Sequence, residues 1–223
     1  MRTLSLLEAR VLGVLVEKAH TVPDSYPLSL NALTLGCNQK TARDPVLAAS
    51  EGEVQAAADS LKTLSLAFES SGSRVSRYEH NLGRALALPA ASVALLATLM
   101  LRGPQTLSEL RANSERLHRF ADVSSVEGFL EELAARADDK GGPLVVRLAR
   151  APGARESRWT QLLTGAPSEA LLAAAGSGGD EEDFVAVSEL VALKARLTVA
   201  EDAIARLQAT LDRVCGELGI ART

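Results

Sequence analysis

The side chains of this sequence best suited to chemistry are polar and basic groups of the kind that meet phosphate. Asn38, Lys40 and Arg43 share one polar stretch, Arg74 and Arg77 follow a first glycine-containing turn, and Arg147, Arg150, Arg155 and Arg158 surround a second. Guanidinium and ammonium groups donate to phosphodiester oxygens and displace condensed counterions, which is contact with the backbone rather than reading of bases. Each also has an ordinary use, as a solvated charge or an ion pair within its own domain, and Arg155 beside Glu156 invites the second. Asn38 and Asp44 can equally satisfy nearby main-chain amides.

Catalysis has less to stand on. The sequence holds no G-x-G-x-x-G or G-x-x-x-x-G-K phosphate cradle, no H-E-x-x-H and no nucleophile elbow. Glu8, Glu17, Asp24, Glu51 and Glu53 do not converge on one face as a carboxylate pair requires, and Cys37 beside Asn38 and Lys40 has no sequence-evident base. Cys37 and Cys215 lack C-x-x-C spacing and His20, His80 and His118 are scattered, so neither a disulfide framework nor a zinc site is expected. The expectation is a protein that is not an enzyme and carries no cofactor or metal.

The elements that must position these groups read as a repeated plan. Ser50 and Glu53 form a capping box, and Val54, Ala57, Ala58, Leu61 and Leu64 recur at helical spacing. Leu66 to Glu69 and Val75 to Glu79 then flank Ser70-Ser71-Gly72-Ser73, two short strands around a turn. A helix feeding a hairpin is the second half of a winged helix-turn-helix. The plan returns with Ser124 and Glu127 as a capping box, a stripe of Val126, Phe129, Leu130 and Leu133, a strand from Leu144 to Leu148, a turn at Pro152-Gly153 and a strand from Ser157 to Leu163. Ahead of the first copy, Ser5 and Glu8 open a helix that ends near Pro23, and Ser29 caps a second helix reaching Gly36. Ahead of the second, an apolar helix through Val93, Leu96 and Met100 stops at Arg102-Gly103-Pro104, and Thr106 with Glu109 opens the next. Residues 37–46 between helices are polar and without period, a loop either held by its own hydrogen bonds or offered to a partner.

These residues carry a family resemblance. Leu7-Glu8-Ala9-Arg10-Val11-Leu12-Gly13, Tyr26-Pro27-Leu28-Ser29-Leu30-Asn31, Cys37-Asn38-Gln39-Lys40-Thr41 with Arg43-Asp44-Pro45-Val46, and Tyr78-Glu79-His80 resemble the bacterial YceH family, also called domain of unknown function 480. Leu101-Arg102-Gly103-Pro104-Gln105-Thr106, His118-Arg119-Phe120 and Val146-Arg147-Leu148-Ala149-Arg150 continue the match to about Leu163. Leu107-Ser108 stands where the family usually has Pro-Gly, and Trp159 where it usually has Tyr. The resemblance implies tandem winged helices and no assigned biochemical role.

The fold class expected is therefore α+β, mainly helical: two tandem winged helix-turn-helix domains at residues 1–87 and 88–165, an acidic flexible linker at 166–185 and a coiled-coil helix at 186–223. Leu190, Leu197, Ile204, Leu211 and Leu218 at position a, with Leu193, Ala200, Leu207 and Val214 at d, make a seam that needs a partner, and a second copy of the chain is the favoured one. At 47% hydrophobic and 3% aromatic, the cores must be built from Leu, Val and Ala. The net charge of -4 is uneven: residues 1–87 carry nine Lys/Arg and nine Asp/Glu, residues 88–165 ten and nine, and residues 166–223 five and ten. With no apolar run of about 20 residues and no signal-type start, a cytoplasmic protein without membrane contact or an evident small-molecule substrate is expected.

Two functional classes follow. One is a regulatory or architectural protein on double-stranded DNA, led by its wings. The other is a protein-interaction scaffold. Against base reading, Glu51, Glu53 and Asp59 on the first recognition-type helix and Glu127, Glu131 and Glu132 on the second would enter a phosphate-walled groove with the wrong sign.

Overall fold

The computed structural model of the protein describes residues 2–70, 75–150 and 155–167, together with residue 208. Helix α1 (Leu6–Thr21) begins at a complete capping box, in which the Ser5 hydroxyl accepts from the Glu8 amide and the Glu8 carboxylate accepts from the Ser5 amide. It ends before Pro23, as the restriction that proline places on its predecessor requires. Short strand β1 (Leu28–Ser29) runs directly into α2 (Leu30–Cys37), capped by the Ser29 hydroxyl. Helix α3 (Glu51–Thr63) carries the expected Ser50 capping box and buries Val54, Ala57, Ala58 and Leu61. The chain then forms β2 (Ala67–Ser70) and β3 (Arg77–His80), and a single turn α4 (Leu82–Ala85) leads onward.

The second half repeats that order. Helix α5 (Ala90–Arg102) is followed by a single bridge residue, Gln105, then α6 (Leu107–Ser114), α7 (Val123–Ala134), β4 (Val145–Arg147) and β5 (Trp159–Gln161). In the first half the antiparallel strands lie in the order β1-β3-β2. In the second, Gln105 pairs with Trp159 of β5, and β5 pairs with β4, so the spatial order is the same. The Thr106 capping box on α6 is present as expected.

One expected cap is replaced. Helix α7 starts at Val123, and its cap is Asp122, whose carboxylate accepts from both the amide and the hydroxyl of Ser125 at 2.7 Å. Ser124 lies inside the first turn, so no Ser124–Glu127 box forms. An ionised carboxylate at the positive end of the helix is the stronger acceptor.

The two halves share one apolar core running from Leu4 to Leu163. Helix α1 packs along α5, and both are buried through their central turns, from Glu8 to Val16 and from Ala91 to Leu101. The approach is close: a methyl group added at Gly13 would lie 3.0 Å from the Leu101 side chain. Gly36 is tighter still, since its Cβ would meet Val14 at 2.6 Å where α2 crosses α1. The Leu4 amide donates to the Leu163 carbonyl at 2.7 Å, tying the start of the first half to the end of the second. Among the described residues, no helix is long and apolar enough to cross a membrane. The coiled-coil expectation and the acidic linker lie outside the described residues apart from position 208 and the linker's first two positions, 166 and 167.

Candidate nucleic-acid interface

The polar stretch after α2 is bound down on the body. Arg10 on α1 is fully buried and donates to the carbonyls of Cys37 and Pro45, at 3.1 and 2.6 Å. Burial, with Arg43 nearby, pushes the Arg10 guanidinium down to about 10. Arg43, 6% exposed, makes a two-pronged pair with Glu17 of α1 and donates to the Gly36 carbonyl and the Gln39 side chain. Burial alone would raise the Glu17 carboxyl, but Arg43 and then Lys18 outweigh it and hold the group below the usual carboxylate range. Asn38 gives its side-chain carbonyl to the Ala49 amide at 2.8 Å and its amide to the Ala49 carbonyl at 2.7 Å, closing the loop on itself. The Asp44 amide reaches across to the Leu101 carbonyl at 2.8 Å. Asn38 and Arg43 are therefore committed to the fold; of the three candidates here, Lys40 alone is exposed, on a groove of about 550 Å³ beside Val46 and Leu47. Burial pushes the Cys37 thiol up to about 12, the opposite of what a nucleophile needs.

Two more candidates do matched structural work. Arg77 donates to the Pro27 carbonyl at 2.9 Å, and Arg158 donates to the Pro104 carbonyl at 3.0 Å. In each half an arginine followed by an aromatic residue on the last strand clips the proline that precedes the first strand position: Arg77-Tyr78 over Pro27-Leu28, Arg158-Trp159 over Pro104-Gln105. Arg158 is further paired with Glu109 at 2.9 Å. Arg74 lies outside the described residues.

Arg147, Arg150 and Arg155 remain, and the structure brings them together around one hairpin. Arg147 closes β4 opposite Trp159, Arg150 follows three residues later, and Arg155 precedes β5. All three are exposed, and none has a partner among the described residues. The neighbouring acid, Glu156, accepts from Ser108 at 3.4 Å rather than from Arg155.

The helix faces point the other way electrically. On α3 the exposed side carries Glu51, Glu53 and Asp59; Glu51 accepts from Asn31, Glu53 serves the cap, and Asp59 is paired with Lys62, which also meets Glu69. On α7, Glu131 and Glu132 are exposed.

Three arginines with no place among the sequence-predicted candidates also come into view. Arg111, Arg116 and Arg119 are exposed around the turn joining α6 to α7. Their signal in the sequence is three arginines within nine residues, 111–119, against one glutamate. Among the described residues no group of three or more His, Cys, Asp or Glu gathers as a metal would need.

Comparison with known proteins follows the same span. A family profile described as "Protein of unknown function, DUF480" matches residues 4–154. A UPF0502 protein of Burkholderia orbicola (strain MC0-3) is 60% identical over 220 residues, covering 99% of this chain and 91% of its own. A UPF0502 protein of Paraburkholderia xenovorans (strain LB400) is also 60% identical over 220 residues, covering 99% of this chain and 90% of its own.

Proposed function

We propose that this chain, which belongs to the DUF480 family, is a non-enzymatic protein of two winged-helix units that contacts the backbone of duplex DNA through its second hairpin. The winged-helix reading is supported by the strand order β1-β3-β2 and its echo in Gln105-β5-β4, each wrapped on helices arriving in the same sequence. The observation that carries the DNA reading is the set Arg147, Arg150 and Arg155, exposed and without a side-chain partner among the described residues around one hairpin, while Arg43 and Arg158 are engaged internally and the exposed Arg77 gives one bond to the Pro27 carbonyl. The acidic outer faces of α3 and α7 argue against reading bases in a major groove and favour phosphate contact and duplex shape.

Fluorescence polarisation of the full chain against a random duplex, at low and moderate salt, tests this. The double variant R147E/R150E should weaken binding at least about tenfold and reduce the salt slope by about 2, one for each phosphate left without its arginine. Unchanged affinity and slope would overturn the wing-led reading.

A protein-interaction scaffold is the second reading, and one feature favours it. The segment Val46–Ala48, outside helix and strand, uses none of its main-chain N–H or C=O groups in hydrogen bonds among the described residues, and Val46 is 51% exposed. Such a segment can accept a strand from another protein. Duplex binding absent at low salt would favour this reading. The heptad seam adds self-association to either one.

A further inference from the structure

We propose that the cavity between α6 and the start of α7 binds a phosphate group through Arg111 and Arg119. The cavity measures about 320 Å³, with Ser108, Arg111, Glu115, Arg119 and Phe120 on its walls. Phe120 is 5% exposed and fixed edge-on between His118 and Phe129, at ring separations of 4.7 and 6.0 Å, so this wall is rigid and apolar. One guanidinium nitrogen of Arg111 donates to the Ala121 carbonyl at 3.1 Å. That bond anchors the planar fork and leaves donors to spare, because a guanidinium has five.

The surrounding stretch is balanced in charge, but the cavity wall itself carries Arg111 and Arg119 against Glu115. Residues 108–123 hold Arg111, Arg116 and Arg119 against Glu109, Glu115 and Asp122. Glu109 is paired with Arg158; the Asp122 carboxylate caps α7 through Ser125 but keeps its charge, part of which acts on Arg111. Glu115 is exposed and shares the cavity wall with two arginines, Arg111 and Arg119. Two guanidinium groups and an aromatic ring lining one cavity can hold a phosphate by shape as well as by charge.

The cavity also adjoins the basic hairpin. Its wall residue Ser108 donates to Glu156, the chain neighbour of Arg155. The Ser108 edge of the cavity thus borders the hairpin at Glu156, beside Arg155. A phosphodiester of the duplex bound by the hairpin would supply the group if the DNA reading above holds, and for that source the inference rests on that reading. A free phosphate or phosphate monoester needs no duplex.

Two measurements on the full chain separate these cases. Inorganic phosphate titrated into the ¹⁵N-labelled protein should shift the amides of Arg111, Ala112, Arg119 and Phe120 saturably. R119Q should abolish those shifts; R147E/R150E should not. Arg119 is the substitution of choice because it is exposed and takes no part in the Ala121 bond, so folding is preserved. In parallel, R119Q should weaken random duplex about three- to tenfold, as removing one arginine from a phosphate does, and lower the salt slope by about 1. Saturable shifts without an effect on duplex binding assign the site to free phosphate, even if the wild-type chain binds no duplex and the DNA reading fails. A duplex effect of R119Q without saturable shifts assigns it to the phosphodiester. Duplex binding that falls in R147E/R150E but not in R119Q, with no saturable shift, overturns the cavity and leaves the hairpin standing. No shift and no duplex binding overturns both.

Discussion

His80 shows what a single half-buried ring can do to the pH response. Its amide donates to the Tyr26 hydroxyl at 2.7 Å, its ring tilts against Tyr26 at 6.4 Å, and its Nδ1 is buried with no hydrogen-bond partner among the described residues. Burial, with the charge of His20 adding to it, pushes this imidazole down to about 4. The folded state therefore binds fewer protons than the unfolded one, in which a histidine titrates near about 6.5. Stability is full above that value and falls as pH drops toward 4, by at most about 3 kcal/mol at roughly 1.4 per unit. Urea melts of wild type and H80Q between pH 7 and 4 check this: the variant should lose that slope. Loss at lower pH should remain in both, because Glu8, despite burial that raises it, is drawn down to about 2 by Arg2, Ser60 and the Ser5 amide. Arg10 and Arg43 mark the limit of legibility at this scale. Arg10 sits three residues after Leu7 and four before Val14, on the stripe that the helical period sends inward. Its type says surface and its place says core; its hydrogen bonds to Cys37 and Pro45 settle the matter for the core. Arg43, inside an aperiodic stretch, has no pattern to betray it.

Among the elements, those with a short-range cause follow the sequence closely. The boxes at Ser5, Ser50 and Thr106 and the Ser29 cap all stand where the residue types place them, because each is closed within three residues. Helix α7 is the instructive exception, capped by Asp122 instead of Ser124. Thermal or urea melts should show D122A losing about 1 kcal/mol, the usual cost of an N-cap, and S124A staying within about 0.5. Equal losses would return the cap to Ser124. The arginine–proline clips belong to this scale too. Pro27 and Arg77 are 50 positions apart, and Pro104 and Arg158 are 54. Nothing local announces such pairs. Only the repeat in the spatial order of the strands makes the two clips equivalent, and it is this equivalence that gives Arg77 and Arg158 a bracing role in the scaffold, with Arg77 still exposed.

The whole molecule joins two similar halves through α1 and α5. Both helices are buried well beyond the single stripe that a surface helix shows, since each is covered by its own half on one side and by the other half on the opposite side. The loop after α2 contributes through Asp44, which bonds Leu101 of α5 and stands 3.0 Å from where a side chain at Gly103 would begin; Gly103 has φ +72 and tolerates both. At this scale the heptads of residues 190–218 make the clearest demand for a partner. Light scattering of a chain lacking residues 185–223 should report a smaller assembly than the full chain. The same assembly in both would remove the seam as the dimerising element.

Taken by itself, the sequence determined the family, the α+β class, the helix starts other than that of α7 and the repeat of helix followed by hairpin, because capping, period and turn chemistry act over a few neighbouring residues. Tertiary structure decided which charged groups are available. Arg43, Arg77 and Arg158 look the same in the chain as Arg147, Arg150 and Arg155. Long-range packing brings a carbonyl or carboxylate partner to each of the first three and leaves the others without a side-chain partner among the described residues, exposed around one hairpin. A charge becomes a contact or a brace according to what the fold sets beside it, and that neighbour is dozens of residues away.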